Sequence, residues 1–170
     1  MTNDWLPLLI VMLATVGCSA KATVVSIDLR TPNDVSTVGW QPQSDIDLFG
    51  LEGPIQLQLT LPSGDILTHR CNKVSLTNDG NTLTGVQIII EGERGDAISR
   101  STDLLSSLGF PKADINQWKQ EAVASRPNLR LQKIFRFNTI KAKVSLRGSV
   151  DHSQLIVAIT LPRPVPNNSD

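Results

Sequence analysis

Aromatic side chains are scarce in this chain of 170 residues: phenylalanine, tryptophan and tyrosine together make up 4% of it, and tyrosine is absent. Proteins that hold single-stranded nucleic acid stack the bases on aromatic rings, and nucleic-acid-binding domains carry a basic excess. Here the formal net charge at pH 7 is zero. The composition therefore argues against nucleic acid as a partner.

Cysteine is equally scarce, since Cys18 and Cys71 are the two in the chain. Two cysteines form no Cys-rich metal site, and the sequence has no catalytic serine motif. His69 would share a strand face with Cys71, but side chains two apart on a strand are separated by about 7 Å, beyond hydrogen-bond reach. We therefore expect no metal, no cofactor and no catalytic residue, and an enzyme that depends on Cys71 is the least favoured alternative.

Long hydrophobic runs are missing as well, because no stretch reaches the roughly 18 apolar residues of a membrane-spanning helix. Trp5 to Gly17 is uncharged and mostly apolar, and its 13 residues suit the hydrophobic core of a signal peptide. The segment ends in Thr15-Val16-Gly17-Cys18, with a small residue directly before the cysteine. This tetrapeptide resembles the lipobox of bacterial lipoproteins.

The lipoprotein resemblance implies a membrane anchor. Residues 1–17 would be removed as a signal peptide, and residues 18–23 would form a lipidated N-terminus, acylated at Cys18, and a short linker. Ser19 stands where an aspartate would retain a lipoprotein at the inner membrane, which favours the periplasmic side of the outer membrane. A cut after Ala20 fits the small-x-small pattern of signal peptidase sites and is the alternative, giving a soluble secreted protein.

The rest of the chain predicts one α+β domain at residues 24–161. Apolar and polar residues alternate in several short segments, which is typical of half-buried strands. Two stretches of helical spacing lie within residues 96–124, and Gly109 would end the first helix. We therefore expect a mostly antiparallel sheet of about six to seven strands, with this two-helix segment packed on one face. Residues 31–53 predict a long loop, and residues 162–170 a flexible tail.

Charge is distributed unevenly along the chain. Residues 18–111 contain six basic and eleven acidic side chains, whereas residues 112–170 contain ten basic and four acidic ones. Five of the late cations occupy polar positions of two predicted neighbouring strands: Arg130, Arg136, Lys141, Lys143 and Arg147. If these strands pair as a hairpin, they form a basic patch without interleaved acids, which would suit an anionic lipid or an acidic protein of the envelope.

Two functions fit these features. The first is a non-catalytic cell-envelope lipoprotein, tethered through Cys18, that binds another envelope component through the basic patch. The second is a module that binds a small ligand in the periplasm, in a groove between the helical pair and residues 31–53. Trp40 and Trp118 would bound that groove, so an apolar cavity between them would favour this alternative.

The intact mass of the protein recovered from the membrane fraction of its host tests the anchor. We expect a species that begins at Cys18 and carries the added mass of a diacylglyceryl group and an acyl chain. Cys18→Ser should abolish the added mass, and Cys71→Ser should leave it unchanged. A soluble species that begins at Lys21 would contradict the anchor and support the cut after Ala20.

Overall fold

The computed structural model describes residues 22–42, 44 and 47–163. The predicted signal peptide, the lipidation of Cys18, the cut after Ala20 and residues 164–170 of the predicted tail lie outside the described residues. The described strands are β1 (Thr23–Asp28), β2 (Asn33–Asp34), β3 (Leu48–Thr60), β4 (Ile66–Asp79), β5 (Thr82–Gly92), β6 (Leu131–Phe137), β7 (Ile140–Gly148) and β8 (Ser153–Thr160). The helices are α1 (Arg94–Ser107), α2 (Lys112–Ala124) and a short 3₁₀ helix at Val35–Val38.

The sheet confirms the predicted α+β fold. Seven strands follow the order β1-β3-β4-β5-β8-β7-β6, and the two-residue β2 pairs with the start of β5. Neighbouring strands are antiparallel except for β1 and β3, which are parallel. Because β8 lies between β5 and β7, strands from before and after the helices belong to one sheet.

Both helices pack on one face of this sheet. α1 contacts β5 and β8, and α2 contacts α1 and β6. The apolar stripes that the sequence predicts are buried: Ala97, Ser101, Leu104, Leu105 and Leu108 from the first helix, and Ile115, Trp118 and Ala122 from the second. The helical spacing of these residues therefore decided which side of each helix meets the sheet.

The end of α1 follows the predicted glycine signal. Gly109 has a φ of +84°, a left-handed conformation that costs glycine little. The Gly109 N–H donates to the carbonyl of Ser106 at 3.0 Å, and the Phe110 N–H donates to that of Leu105 at 3.2 Å. This pair of hydrogen bonds is a Schellman motif, which satisfies the last carbonyls of α1 and turns the chain into α2.

Residues 31–53, predicted as a loop, contain β2, the 3₁₀ helix and the start of β3. Two buried asparagines hold this region. Asn33 accepts a hydrogen bond from the Asp28 N–H at 2.8 Å, and Asn78 accepts one from the Asp47 N–H at 2.6 Å. These contacts join residues that are distant or irregularly spaced in sequence, so no periodic pattern indicates them.

A buried arginine joins the two helices. Arg94, the first residue of α1, is 7% exposed, and its Nη2 donates to the carbonyls of Ala122 at 3.2 Å and Ser125 at 3.3 Å. The last carbonyls of a helix lack partners within the helix and carry partial negative charge. The guanidinium therefore caps the C-terminus of α2 and fixes it against the start of α1.

Removing this cap should weaken the fold. Arg94→Met keeps much of the side-chain length but leaves carbonyls of α2 without their donor, so we expect the free energy of unfolding to fall by about 1–3 kcal/mol. Urea denaturation of the full-length protein measures the change. Arg126→Met is the same substitution at an exposed position and is the matched control. Equal losses in the two variants would contradict the capping role.

Candidate functional site

The two tryptophans predicted to bound a ligand groove lie in separate parts of the core. Trp118 on α2 is fully buried, and its ring meets that of Phe135 edge-on with centroids 6.5 Å apart. Trp40 is 5% exposed and stacks on Phe49 of β3. Five strand steps separate β3 from β6 in the sheet, which corresponds to about 24 Å. The structure therefore does not bring Trp40 and Trp118 together, and each indole fills its own part of a packed core.

Cys71 and His69 lie on β4 and do not form a reactive pair. Cys71 is 5% exposed, and burial raises the pKa of its thiol, which disfavours the nucleophilic thiolate. The pKa of His69 is lowered, first by burial and then by the charge of Arg100. The buried Nε2 of His69 makes no hydrogen bond. Over residues 22–42, 44 and 47–163, no three His, Cys, Asp or Glu side chains cluster so as to hold a metal ion.

The five predicted cations lie on or beside one hairpin, on the side of the sheet opposite to the helices. β6 and β7 pair with Arg136 opposite Lys141, and the intervening β7 residues Ala142, Val144 and Leu146 are fully buried. We name the uncovered side the open face. Its residues are Lys73, Ser75, Thr77, Gly85, Gln87, Ile89, Glu91, Gln132, Ile134, Arg136, Lys141, Lys143, Ser145, Arg147, Gln154, Ile156, Ala158 and Thr160.

Two of the five cations are held by neighbouring amides. The Nε of Arg147 donates to Oε1 of Gln154 at 2.9 Å, and Nε2 of Gln154 donates to Oε1 of Glu91 at 2.7 Å. These hydrogen bonds link the charge of Arg147 to an acid across β8. Arg130 lies against Gln132, whose amide oxygen, when turned toward the guanidinium, accepts hydrogen bonds from it.

The other three cations, Arg136, Lys141 and Lys143, form what we call the basic cluster. All three are exposed. Arg136 and Lys141 are directly opposite each other, and Lys143 is the next outward residue along β7. Among the ion pairs of the described residues, none includes a member of the basic cluster. Three like charges therefore stand together without an acid to offset them.

Other lysines of the sheet do have acidic partners. On the open face, Nζ of Lys73 lies 2.8 Å from Oε1 of Glu52, and this hydrogen bond lowers the pKa of Glu52 and raises that of Lys73. On the helix side of β6, Nζ of Lys133 lies 3.2 Å from Oε1 of Glu121 in α2. Lys141 and Lys143 of the basic cluster thus differ from Lys73 and Lys133, each of which has an acidic partner.

A groove of about 400 Å³ lies beside the basic cluster. Gly85 and Ala158 contribute the smallest side chains of its lining, and Lys141 and Lys143 stand on one side. Thr77, Thr84, Thr160 and Gln87 supply further polar groups, and none of the described residues that line the groove is acidic. The arrangement can donate hydrogen bonds and positive charge to a small anionic group.

Two local features shape the groove: a β-bulge at Thr84 and the glycine at position 85. Thr84 is the extra residue of a β-bulge, since Thr77 pairs with Gly85 while Asn78 pairs with Leu83. Bulges redirect the side chain of the extra residue. The Oγ1 atoms of Thr77 and Thr84 lie 3.2 Å apart, and a Cβ at Gly85 would come within 2.8 Å of Oγ1 of Thr77. A residue other than glycine at position 85 would therefore crowd the two hydroxyls.

Sequence reasoning located the cations but missed the groove. Its lining comes from β4, β5, β6, β7 and β8, over positions from 77 to 160. Alternation predicts which residues of one strand point outward, but it does not predict which strands become neighbours. The short side chains at Gly85 and Ala158 were the available signal, because each occupies an outward position where a larger polar residue is usual.

Comparison of the chain with protein-family models, with curated proteins and with solved structures finds no match. In the part of the chain that the structure describes, no helix has the length and apolar character to cross a membrane. The geometry and charge of the open face are therefore the guide to its function.

The half-buried His69 should make the stability of the fold depend on pH. In the folded chain the pKa of His69 is lowered from its ordinary value of 6.5. As the pH falls, the unfolded chain therefore binds a proton at His69 before the folded chain does. Stability is therefore complete above that value and falls as the pH decreases toward the folded pKa. Urea denaturation between about pH 8 and about pH 5 measures the loss.

His69→Gln should remove this contribution, so its stability should fall less steeply with decreasing pH than that of the wild type. Arg100 and Asp103 line the same small cavity as His69 and are unchanged in the variant. His152→Gln is the same substitution at an exposed histidine and is the matched control. Equal slopes for the wild type and His69→Gln would contradict a lowered pKa of His69 in the folded chain.

Proposed function

We propose that this protein is a non-catalytic lipoprotein of the cell envelope, which binds an anionic component of the envelope through the basic cluster on the open face. The observation that carries the proposal is the set of three exposed cations, Arg136, Lys141 and Lys143, which have no acidic partner among residues 22–42, 44 and 47–163. The lipobox resemblance at Cys18 supports the tether and, with Ser19, the outer membrane.

The basic cluster is not explained by the needs of the fold. Like charges on directly opposite residues, such as Arg136 and Lys141, destabilise a strand pair. Cations on edge strands can prevent aggregation, and β6 is an edge strand. Lys141 and Lys143 lie on β7, however, which is paired on both sides. Protection of an edge therefore leaves two of the three charges without a structural reason.

An anionic surface would offset this repulsion. A lysine near an anionic membrane contributes about 1 kcal/mol of binding free energy, and the attraction extends over roughly a Debye length. A tethered domain experiences a high local concentration of such a surface, so weak contacts suffice. The predicted linker of residues 18–23 is short, and β1 begins at Thr23. A lipid at Cys18 would thus keep the domain close to the membrane.

The two alternatives receive less support. The small-ligand module required a cavity between Trp40 and Trp118, and those side chains are packed in separate parts of the core. A cysteine-dependent enzyme required an exposed thiol with a charged partner, whereas Cys71 is buried.

Binding to vesicles tests the proposal. The full-length chain with Cys18→Ser in every sample avoids binding through acyl chains, and vesicles of neutral phosphatidylcholine give the contribution of the apolar N-terminal segment. We expect stronger binding to vesicles that contain an anionic lipid. Lys141→Gln with Lys143→Gln should weaken that added binding by about tenfold or more at low salt, since about two lysine contributions are lost.

The matched control is Lys112→Gln with Lys119→Gln. These lysines are exposed on α2, on the other side of the sheet, so the change in net charge is the same. The control should bind anionic vesicles almost as the wild type does. Equal binding by both double variants would contradict a role for the open face.

A further inference from the structure

We propose that the groove over Gly85 and Ala158 is a binding site for the phosphate of a membrane lipid headgroup. This inference rests on the proposed function, because it assigns the anionic component and the place where it binds. The groove of about 400 Å³ is within the range of small-ligand sites. It is therefore large enough for a headgroup and too small for a folded protein segment.

The lining supplies the donors that a phosphate needs. Lys141 and Lys143 stand on one side, and outward residues two apart on a strand are separated by about 7 Å. The side chains of Lys141 and Lys143 are long and flexible, so at this spacing both ammonium groups can contact the same phosphate. Each ammonium has three donors, whereas phosphate oxygens act as acceptors.

The threonine pair adds a directed donor. Because Oγ1 of Thr77 and Oγ1 of Thr84 share one hydrogen bond at 3.2 Å, one of the two hydroxyl protons is not used between them. That proton is available to an acceptor in the groove. The bulge at Thr84 and the missing side chain at Gly85 bring these hydroxyls together. The backbone of the sheet therefore fixes the position of this donor.

A membrane lipid is favoured over a free phosphate ester by the rim of the groove. Ile134 lines the groove next to Lys143 and is 53% exposed. An exposed apolar side chain beside lysines suits the boundary between headgroups and acyl chains, where apolar groups insert and cations meet phosphates. An acidic protein segment would use the same charges but would not need this apolar contact or a small groove lined by hydroxyls.

Selectivity for phosphate is the property to measure. Vesicles that contain phosphatidylglycerol are compared with vesicles that contain a carboxylate lipid, matched for surface potential. The full-length chain with Cys18→Ser should bind the phosphate vesicles about tenfold more tightly, as expected for added hydrogen bonds to a charged group. The basic cluster alone would bind both kinds of vesicle equally.

Ala158→Leu fills the groove without changing any charge. This variant should lose the preference for phosphate. Its affinity for both kinds of vesicle should equal the affinity of the wild type for the carboxylate vesicles. Ser26→Leu adds similar bulk at an exposed position on β1, outside the groove, and should keep the preference. Thr84→Val keeps the side-chain volume and removes one hydroxyl, so it should lower the preference even if Ala158→Leu folds poorly.

Several results would overturn the inference. Equal binding of the wild type to both kinds of vesicle would show that the open face responds to charge and has no preference for phosphate. In that case the proposed function would still stand, provided that Lys141→Gln with Lys143→Gln weakened binding. Dissolved glycerol phosphate that binds as tightly as the vesicles would assign a free ester and not a lipid. Binding of an acidic peptide with no binding of vesicles would assign a protein partner. Insensitivity to the double lysine variant would overturn both proposals.

Discussion

The structure depends on one constraint: a single layer of helices covers a sheet of seven paired strands. α1 and α2 have 14 and 13 residues, which correspond to about 20 Å each. The sheet is about 29 Å wide, so two such helices side by side can cover one face and no more. Arg94 holds the helices together at one end of this layer. The other face meets water, and its outward residues are therefore mostly polar, small or half-buried, with the exposed Ile134 as an exception.

The candidate site follows from that constraint. An open face must be compatible with water, but it need not be basic, and Glu52 and Lys73 form an ion pair there. At the β6–β7 end the fold instead places Arg136, Lys141 and Lys143 together. Beside them the bulge at Thr84 and the glycine at position 85 form a groove. The opposite like charges of Arg136 and Lys141 weaken the strand pair, and we propose that the cluster and the groove serve binding.

The fold and the cations were largely predictable because both depend on local patterns. Alternation located the strands, helical spacing located the stripes of α1 and α2, and Gly109 marked the end of α1. The groove was not predictable, because it needs β4, β5, β8 and β7 to be neighbours. The predicted groove between Trp40 and Trp118 is the opposite case, a site that the sequence suggested and the structure does not contain. Large aromatic side chains with few polar partners also commonly fill a protein core, as these two do.

The sequence by itself determined most of the elements outside residues 31–53, the side of each that is buried, and the unequal distribution of charge. Each of these depends on residues a few positions apart, whose spacing is set by the period of a helix or strand. Only the tertiary structure decided that β8 lies between β5 and β7, that Glu91 offsets Arg147 through Gln154, and that no described acid pairs with the basic cluster. Those outcomes depend on pairing between segments more than 60 residues apart, and no local period encodes such pairing.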